Sequence, residues 1–215
     1  MEKAARSDAE LLADWLNHQR EPAFHSLVAR YAGLVHMAAK RTSGDESLAA
    51  EATQLVFILL ARKAKSLASR DSLAGWLHLT AVMQAKNLIR QNRRESHKRQ
   101  LLAMETEIQP HENKWQEIQP VLDDALASLS ESDREALLLR FYRSLTIREV
   151  AATLGIATDA AQKRIDRATE RLRGKLLKRG CQSGTTLAAT LLAGFSADAQ
   201  AALPVSMLAS KAIAA

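Results

Sequence analysis

The sequence predicts an all-α protein of two small helical domains joined by a flexible linker, and three observations carry that expectation. Ala and Leu are abundant while aromatic residues make up only 4% of the chain, a mix that favours helices over sheets. Only 8 Gly and 4 Pro occur in 215 residues. Apolar residues recur at three- and four-residue spacing over long stretches, the period of an amphipathic helix. A hydrophobic content of 47% at this length suffices for real cores.

Charge divides the chain more sharply than composition does. The formal net charge is +6, but residues 1–100 hold 16 Lys and Arg against 10 Asp and Glu, and residues 128–180 hold 12 against 7. Between them, residues 101–127 hold 1 against 6. Two basic modules flank an acidic connector, and basic surfaces are the electrostatic footprint of polyanion binding. The expected organisation is an amphipathic lead-in over 1–20, a helical domain over 21–99, a linker over 100–120, a second helical domain over 121–180, and a short Ala/Leu-rich tail over 181–215.

Within the first domain, Glu21-Pro22 opens a helix whose Phe24, Leu27, Val28, Tyr31, Leu34, Val35 and Ala38 form one stripe, and Ser43-Gly44-Asp45 ends it. A second helix is expected from Glu46 to Leu67, with Leu48, Ala52, Leu55 and Leu59 on one face and Val56 and Leu60 beside them. A polar loop, Ala68 to Asp71, leads to a third helix from about Leu73 to Arg94. The connector holds Pro110 and Pro120 and shows no long apolar stripe. The second domain reads as helices over Val121–Ala127 and Glu131–Tyr142 followed by a helical pair.

That pair is the most informative stretch of the chain. Thr146 and Glu149 have the spacing of a capping box, in which each side chain satisfies an orphaned amide at the helix start. Ile147, Val150, Ala151 and Leu154 then share a face, and Gly155 follows where a residue with positive φ stops a helix cheaply. Thr158 is a candidate cap for the next helix, whose Ala161, Ile165, Ala168 and Leu172 form its inner face. Asp159, Lys163, Asp166, Arg167 and Glu170 point the other way, with Arg164 and Arg171 on the flank. Two short helices joined by a tight turn form a helix-turn-helix, whose second helix is sized for the DNA major groove. Lys163 and Arg167 suit guanine or phosphate, and Asp159 or Asp166 suits cytosine.

The third helix of the first domain ends in a second basic cluster: Lys86, Arg90, Arg93, Arg94, Lys98 and Arg99, opposed only by Glu95. Cations at this spacing can track a phosphate backbone, and six exceed what a helix dipole needs. Trp76 reads as a core residue rather than a base-stacking platform, because Leu77 and Leu79 to Ala81 surround it.

Several classes are set aside. Cys181 is the one cysteine, which excludes an internal disulfide and a cysteine-based zinc site. The six His are scattered, and neither a nucleophile–His–acid order nor a phosphate-cradling Gly loop is visible, so no enzyme, metal, cofactor or small-molecule substrate is expected. The first sixteen residues are charged and amphipathic rather than signal-like, which points to the cytoplasm. The tail's apolar run falls short of the roughly 20 residues of a membrane span. Two short helices around Pro204, packed on the globular part, are expected instead of membrane insertion.

Taken in order, these modules resemble a bacterial sigma factor of the extracytoplasmic-function type, which has a region 2 and a region 4 joined by a linker. Glu51-Ala52-Thr53-Gln54-Leu55-Val56-Phe57 is similar to that family's polymerase-binding helix, with Ala50 at its first acidic position. Trp76-Leu77 followed by Ala81, Ala85 and Arg90 resembles the promoter-melting helix, with Val82, Met83 and Asn87 where the family commonly has other residues. Leu129 to Arg173 resembles region 4 nearly throughout. The resemblance implies core RNA polymerase and promoter DNA as partners, with an anti-sigma factor as a further candidate. It places polymerase contacts at Glu51, Gln54 and Phe57, and contacts to the −10 element at Lys86, Asn87, Arg90, Arg93 and Arg94. Contacts to the −35 element fall at Thr158, Asp159, Gln162, Lys163, Arg164, Arg167 and Arg171. By the same analogy the loop Ser66 to Asp71 would receive a flipped base. The alternative is a stand-alone helix-turn-helix regulator; such proteins usually dimerise on two half-sites, and no dimer helix or ligand domain is evident.

Overall fold

The computed structural model describes residues 6–18, 20–97, 114–181 and 187–215, and all regular structure among them is helical. Helix α1 (Asp8–His18) opens with a reciprocal cap: the Glu10 amide donates to the Ser7 hydroxyl and the Ser7 amide to the Glu10 carboxylate. The buried Asp8 carboxylate pins α1 down by accepting from Arg30 (2.6 Å), the Tyr31 hydroxyl (2.5 Å) and the Leu73 amide (2.8 Å). Helix α2 (Glu21–Ser43) carries Pro22 in its first turn and ends at Gly44, whose φ of +68° is the left-handed value that a Cβ disfavours. Asp45 caps α3 (Glu46–Leu67) by accepting from the Leu48 amide at 2.8 Å. Helix α4 (Ala74–His97) completes a bundle in which α2, α3 and α4 pack on one another. Ala39, Ala49, Ala52 and Ala85 allow a close approach where the three meet.

The buried face of α3 differs from the expected one. Ala49, Ala52, Thr53, Val56, Phe57, Leu60, Ala64 and Leu67 are buried, while Leu48, Leu55 and Leu59 are only half-buried. The bulk of Phe57 turns the inner face towards it and rotates the Leu residues to the edge.

Helix α5 (Lys114–Ala127) begins well before Val121, so it takes in the end of the segment expected as a linker, with Pro120 inside it. Ile118, Leu122, Ala125 and Leu126 form its buried stripe. Helix α6 (Glu131–Leu137), capped by Ser130, runs on into a π-helical turn over Leu138–Tyr142. Helix α7 (Ile147–Thr153) has the full Thr146–Glu149 capping box, and Gly155 takes a φ of +62° in the turn to α8 (Thr158–Leu177). Ala161, Ile165, Ala168 and Leu172 are buried, as their spacing requires. Thr158 is the first residue of α8 and not its cap: Ala157 occupies that place and offers no side-chain acceptor. Helices α9 (Leu187–Ala199) and α10 (Val205–Ala214) follow, with Pro204 between them.

Both expected helical units are present, and most of their buried apolar residues belong to one continuous cluster, with Ala39, Ala49, Ala52, Ala85 and Leu88 in a smaller second one. Glu135 on α6 accepts from the Gly75 amide at 2.8 Å, Arg134 donates to the Gly75 carbonyl, and the Tyr142 hydroxyl accepts from the Leu34 amide at 3.1 Å. Arg41 on α2 donates to Asp123 on α5, which also bonds His78 on α4 at 2.9 Å. Burial pushes the Asp123 carboxyl up, but the Arg41 charge and the His78 bond outweigh it and hold the group below the ordinary carboxylate value. None of the described helices is long and apolar enough to cross a membrane.

Candidate nucleic-acid and polymerase interface

Helix α8 presents the expected reading face. Its inner stripe docks on α6 and α7, which orients the opposite side outward. Thr158, Asp159, Gln162, Lys163 and Arg167 are exposed on that side. Gln162 donates to Asp166 at 2.8 Å, and Arg167 Nε donates to the Lys163 carbonyl at 3.0 Å, which lays the guanidinium along the helix with donors to spare. Arg164 and Arg171 stand apart. Arg164 is half-buried and lines a cavity, and Arg171 is ion-paired with Asp133 at the start of α6.

On α4, Lys86, Asn87 and Arg90 are exposed along one edge. Arg90 donates to the Asn87 amide oxygen at 2.8 Å, and Lys86 is paired with Asp124 of α5 at 2.7 Å. Arg93 and Arg94 continue the helix, with side chains outside the described residues, as are Lys98 and Arg99 altogether. Trp76 is half-buried against the core.

On α3, the three expected polymerase contacts separate. Glu51 is exposed and Gln54 half-buried, both facing away from the core. Phe57 is corrected: it is 0% exposed within the main core, so it supports α3 from inside and offers no surface to a partner. The family resemblance grouped it with Glu51 and Gln54, but an aromatic beside Val56 and Leu60 gains more by burial than by exposure.

The cavity lined by Arg164 encloses about 300 Å³ and also includes Ser69, Arg70, Asp71, Ser72, Glu131 and Glu135. It therefore joins the loop before α4 to α6 and α8. Arg70 is ion-paired with Glu131 there. Burial pushes the Glu135 carboxyl up to about 7, against opposing hydrogen bonds from Ser72 and the Gly75 amide. Composition gave no signal for this carboxylate, because its burial depends on the packing of α6 against α4.

The scaffold thus presents two outward basic surfaces, one of them on a helix-turn-helix. Comparison with known proteins makes this specific. The family description "Sigma-70 region 2" matches residues 27–95, and "Sigma-70, region 4" matches residues 125–174. The chain belongs to the sigma-70 family. It is 28% identical over 169 residues to the ECF RNA polymerase sigma factor SigE of Mycolicibacterium smegmatis, an alignment covering 75% of this chain and 65% of that relative. The chain thus spans just under two thirds of the relative's length. A solved structure of the sigma factor RpoE in complex with the anti-sigma factor NepR, from Bartonella quintana, aligns with a TM-score of 0.34 at 22% identity, covering 77% of this chain and 98% of that one.

Proposed function

We propose that this protein directs core RNA polymerase to specific promoters and initiates transcription there. The observation that carries this reading is the pair of family matches in order along one chain, each coinciding with an outward basic helix. Region 4 reads duplex DNA at the −35 element through α8, with Thr158, Asp159, Gln162, Lys163 and Arg167 towards the major groove. Region 2 binds polymerase through Glu51 and Gln54 and captures opened −10 DNA along Lys86, Asn87 and Arg90, with Arg93 and Arg94 extending the track.

The work is thermodynamic rather than chemical. Opening duplex DNA costs on the order of 1.4 kcal/mol per base-pair step. A protein that binds the open form better than the closed one shifts that equilibrium by its difference in affinity and forms no covalent bond. An anti-sigma factor is a further candidate partner, since α3 and α8 both offer surfaces a regulator would cover.

Assembly with purified core polymerase tests the reading. The expected result is a stoichiometric complex that footprints an upstream duplex element and a downstream melted one. DNA binding at palindromic operators without any polymerase complex would instead establish the stand-alone regulator.

A further inference from the structure

The tail touches both regions at once. Helix α9 packs on α2 of region 2 and on α5, α8 and the π-helical turn of region 4, while α10 packs on α2 and α3. At the junction lies a buried ionic cluster assembled from three parts of the chain. Arg41 of α2 donates to Asp123 of α5 and to Asp198 of α9, each at 2.6 Å. Trp115 of α5 and Phe195 of α9 flank the same guanidinium, with ring centroids 5.6 and 5.9 Å away. Two glycines permit the fit. A methyl on Gly33 of α2 would run into the Asp198 carbonyl, and one on Gly194 of α9 would run into the Trp115 ring.

The closed arrangement engages residues of the proposed promoter and polymerase contacts from within the chain. Lys86 is held by Asp124 of region 4. Arg164 of α8 and the loop Ser69 to Ser72 share one cavity of about 300 Å³. Helix α10 lies on α3, where Arg62 donates to the Ala215 carbonyl at 2.8 Å. Arg62 falls eleven residues after Glu51, three turns along the same face.

We propose that α9 and α10 form an intramolecular clamp that holds region 4 against region 2, and that this clamp must release before both regions engage DNA and polymerase. What the clamp inhibits rests on the sigma-factor reading; the closure itself is a property of the chain alone. The latch is weakest at the tail. Asp123 has a second bond from His78, whereas burial pushes the Asp198 carboxyl up despite Arg41.

The test uses the full chain with Cys181→Ala and spin labels at Gln91→Cys and Ala160→Cys, both exposed and outside the proposed contacts. Electron–electron distance measurements are expected to give one narrow distribution for this background. Adding Gly33→Ala, which places a better helix former inside α2, should shift and broaden it, as should Gly194→Ala. Both changes should tighten binding to core polymerase on the order of tenfold, the tax on a state populated about one time in ten. Unchanged distances in both variants, or opening without tighter polymerase binding, would overturn the proposal. If neither glycine variant folds, Asp198→Asn, which keeps shape and removes charge, is read on the same scale. Loss of polymerase binding by every variant and the parent rejects the sigma-factor reading and the inhibitory role built on it, while the distances still decide whether the tail closes the molecule.

Discussion

Lys86 on α4 and Asp124 on α5 form an ion pair at 2.7 Å, so a cation proposed to contact DNA is held by a carboxylate of the other region. Both side chains are about half exposed. A pair of this kind contributes about 0–1 kcal/mol to stability, so its value lies in what it covers.

Asp124→Asn therefore leaves thermal stability nearly unchanged and strengthens DNA binding. Titrating single-stranded DNA at several salt concentrations checks this. Freeing one phosphate contact steepens the dependence of log affinity on log salt by about 0.7. An unchanged slope means that Lys86 does not reach phosphate.

Arg167 is exposed on α8 with guanidinium donors left over after its bond to the Lys163 carbonyl. Arg167→Ala is expected to cost about 1–3 kcal/mol on the cognate upstream duplex and much less on scrambled duplex, the signature of a bidentate base contact. Competition binding on the two duplexes separates the cases, since an equal loss on both assigns the side chain to phosphate.

Helix α3 offers a paired comparison. Phe57→Ala removes a fully buried ring and is expected to lower unfolding free energy by about 3–5 kcal/mol. Gln54→Ala, at the helix surface, should leave the denaturation midpoint almost unmoved yet weaken the complex with core polymerase. Equal effects on stability would contradict the placement of the two side chains.

Glu135 gives stability a pH dependence. Its carboxyl titrates at about 7 in the folded chain against an ordinary 4.5, so between those values the folded state holds more protons than the unfolded one. Stability is then fully present below about pH 4.5 and falls as pH rises to about 7, by on the order of 3 kcal/mol in all. Asp123, held low, acts in the opposite sense and only below its ordinary 3.8. Glu135→Gln keeps an acceptor for the Gly75 amide without a buried charge, so urea denaturation should show the slope between pH 5 and 7 abolished. A slope that persists in the variant would assign it to another group.

The fold was largely legible because most of these helices carry their own punctuation. Gly44, Asp45, Thr146, Glu149 and Gly155 fix helix ends through local backbone chemistry, which needs no knowledge of the partner surface. Where packing decides, pattern alone fell short. The inner face of α3 holds Phe57, and α5 extends upstream of Val121, where Ile118 and Trp115 find a core contributed by other elements, in spite of Pro120. The outward residues of α8 were readable from their phase. The pairing of Lys86 with Asp124, of Arg171 with Asp133, and of Arg41 with Asp198 joins residues distant in the chain, and no local spacing encodes it.

In the proposed function, two basic surfaces on one chain confer promoter selection on RNA polymerase. Run-off transcription on genomic fragments, with purified core polymerase and this protein, tests it most directly. Discrete transcripts from defined start sites, absent with core alone and lost with Arg167→Ala, are the predicted result. Transcription no different from core alone across all fragments would contradict it.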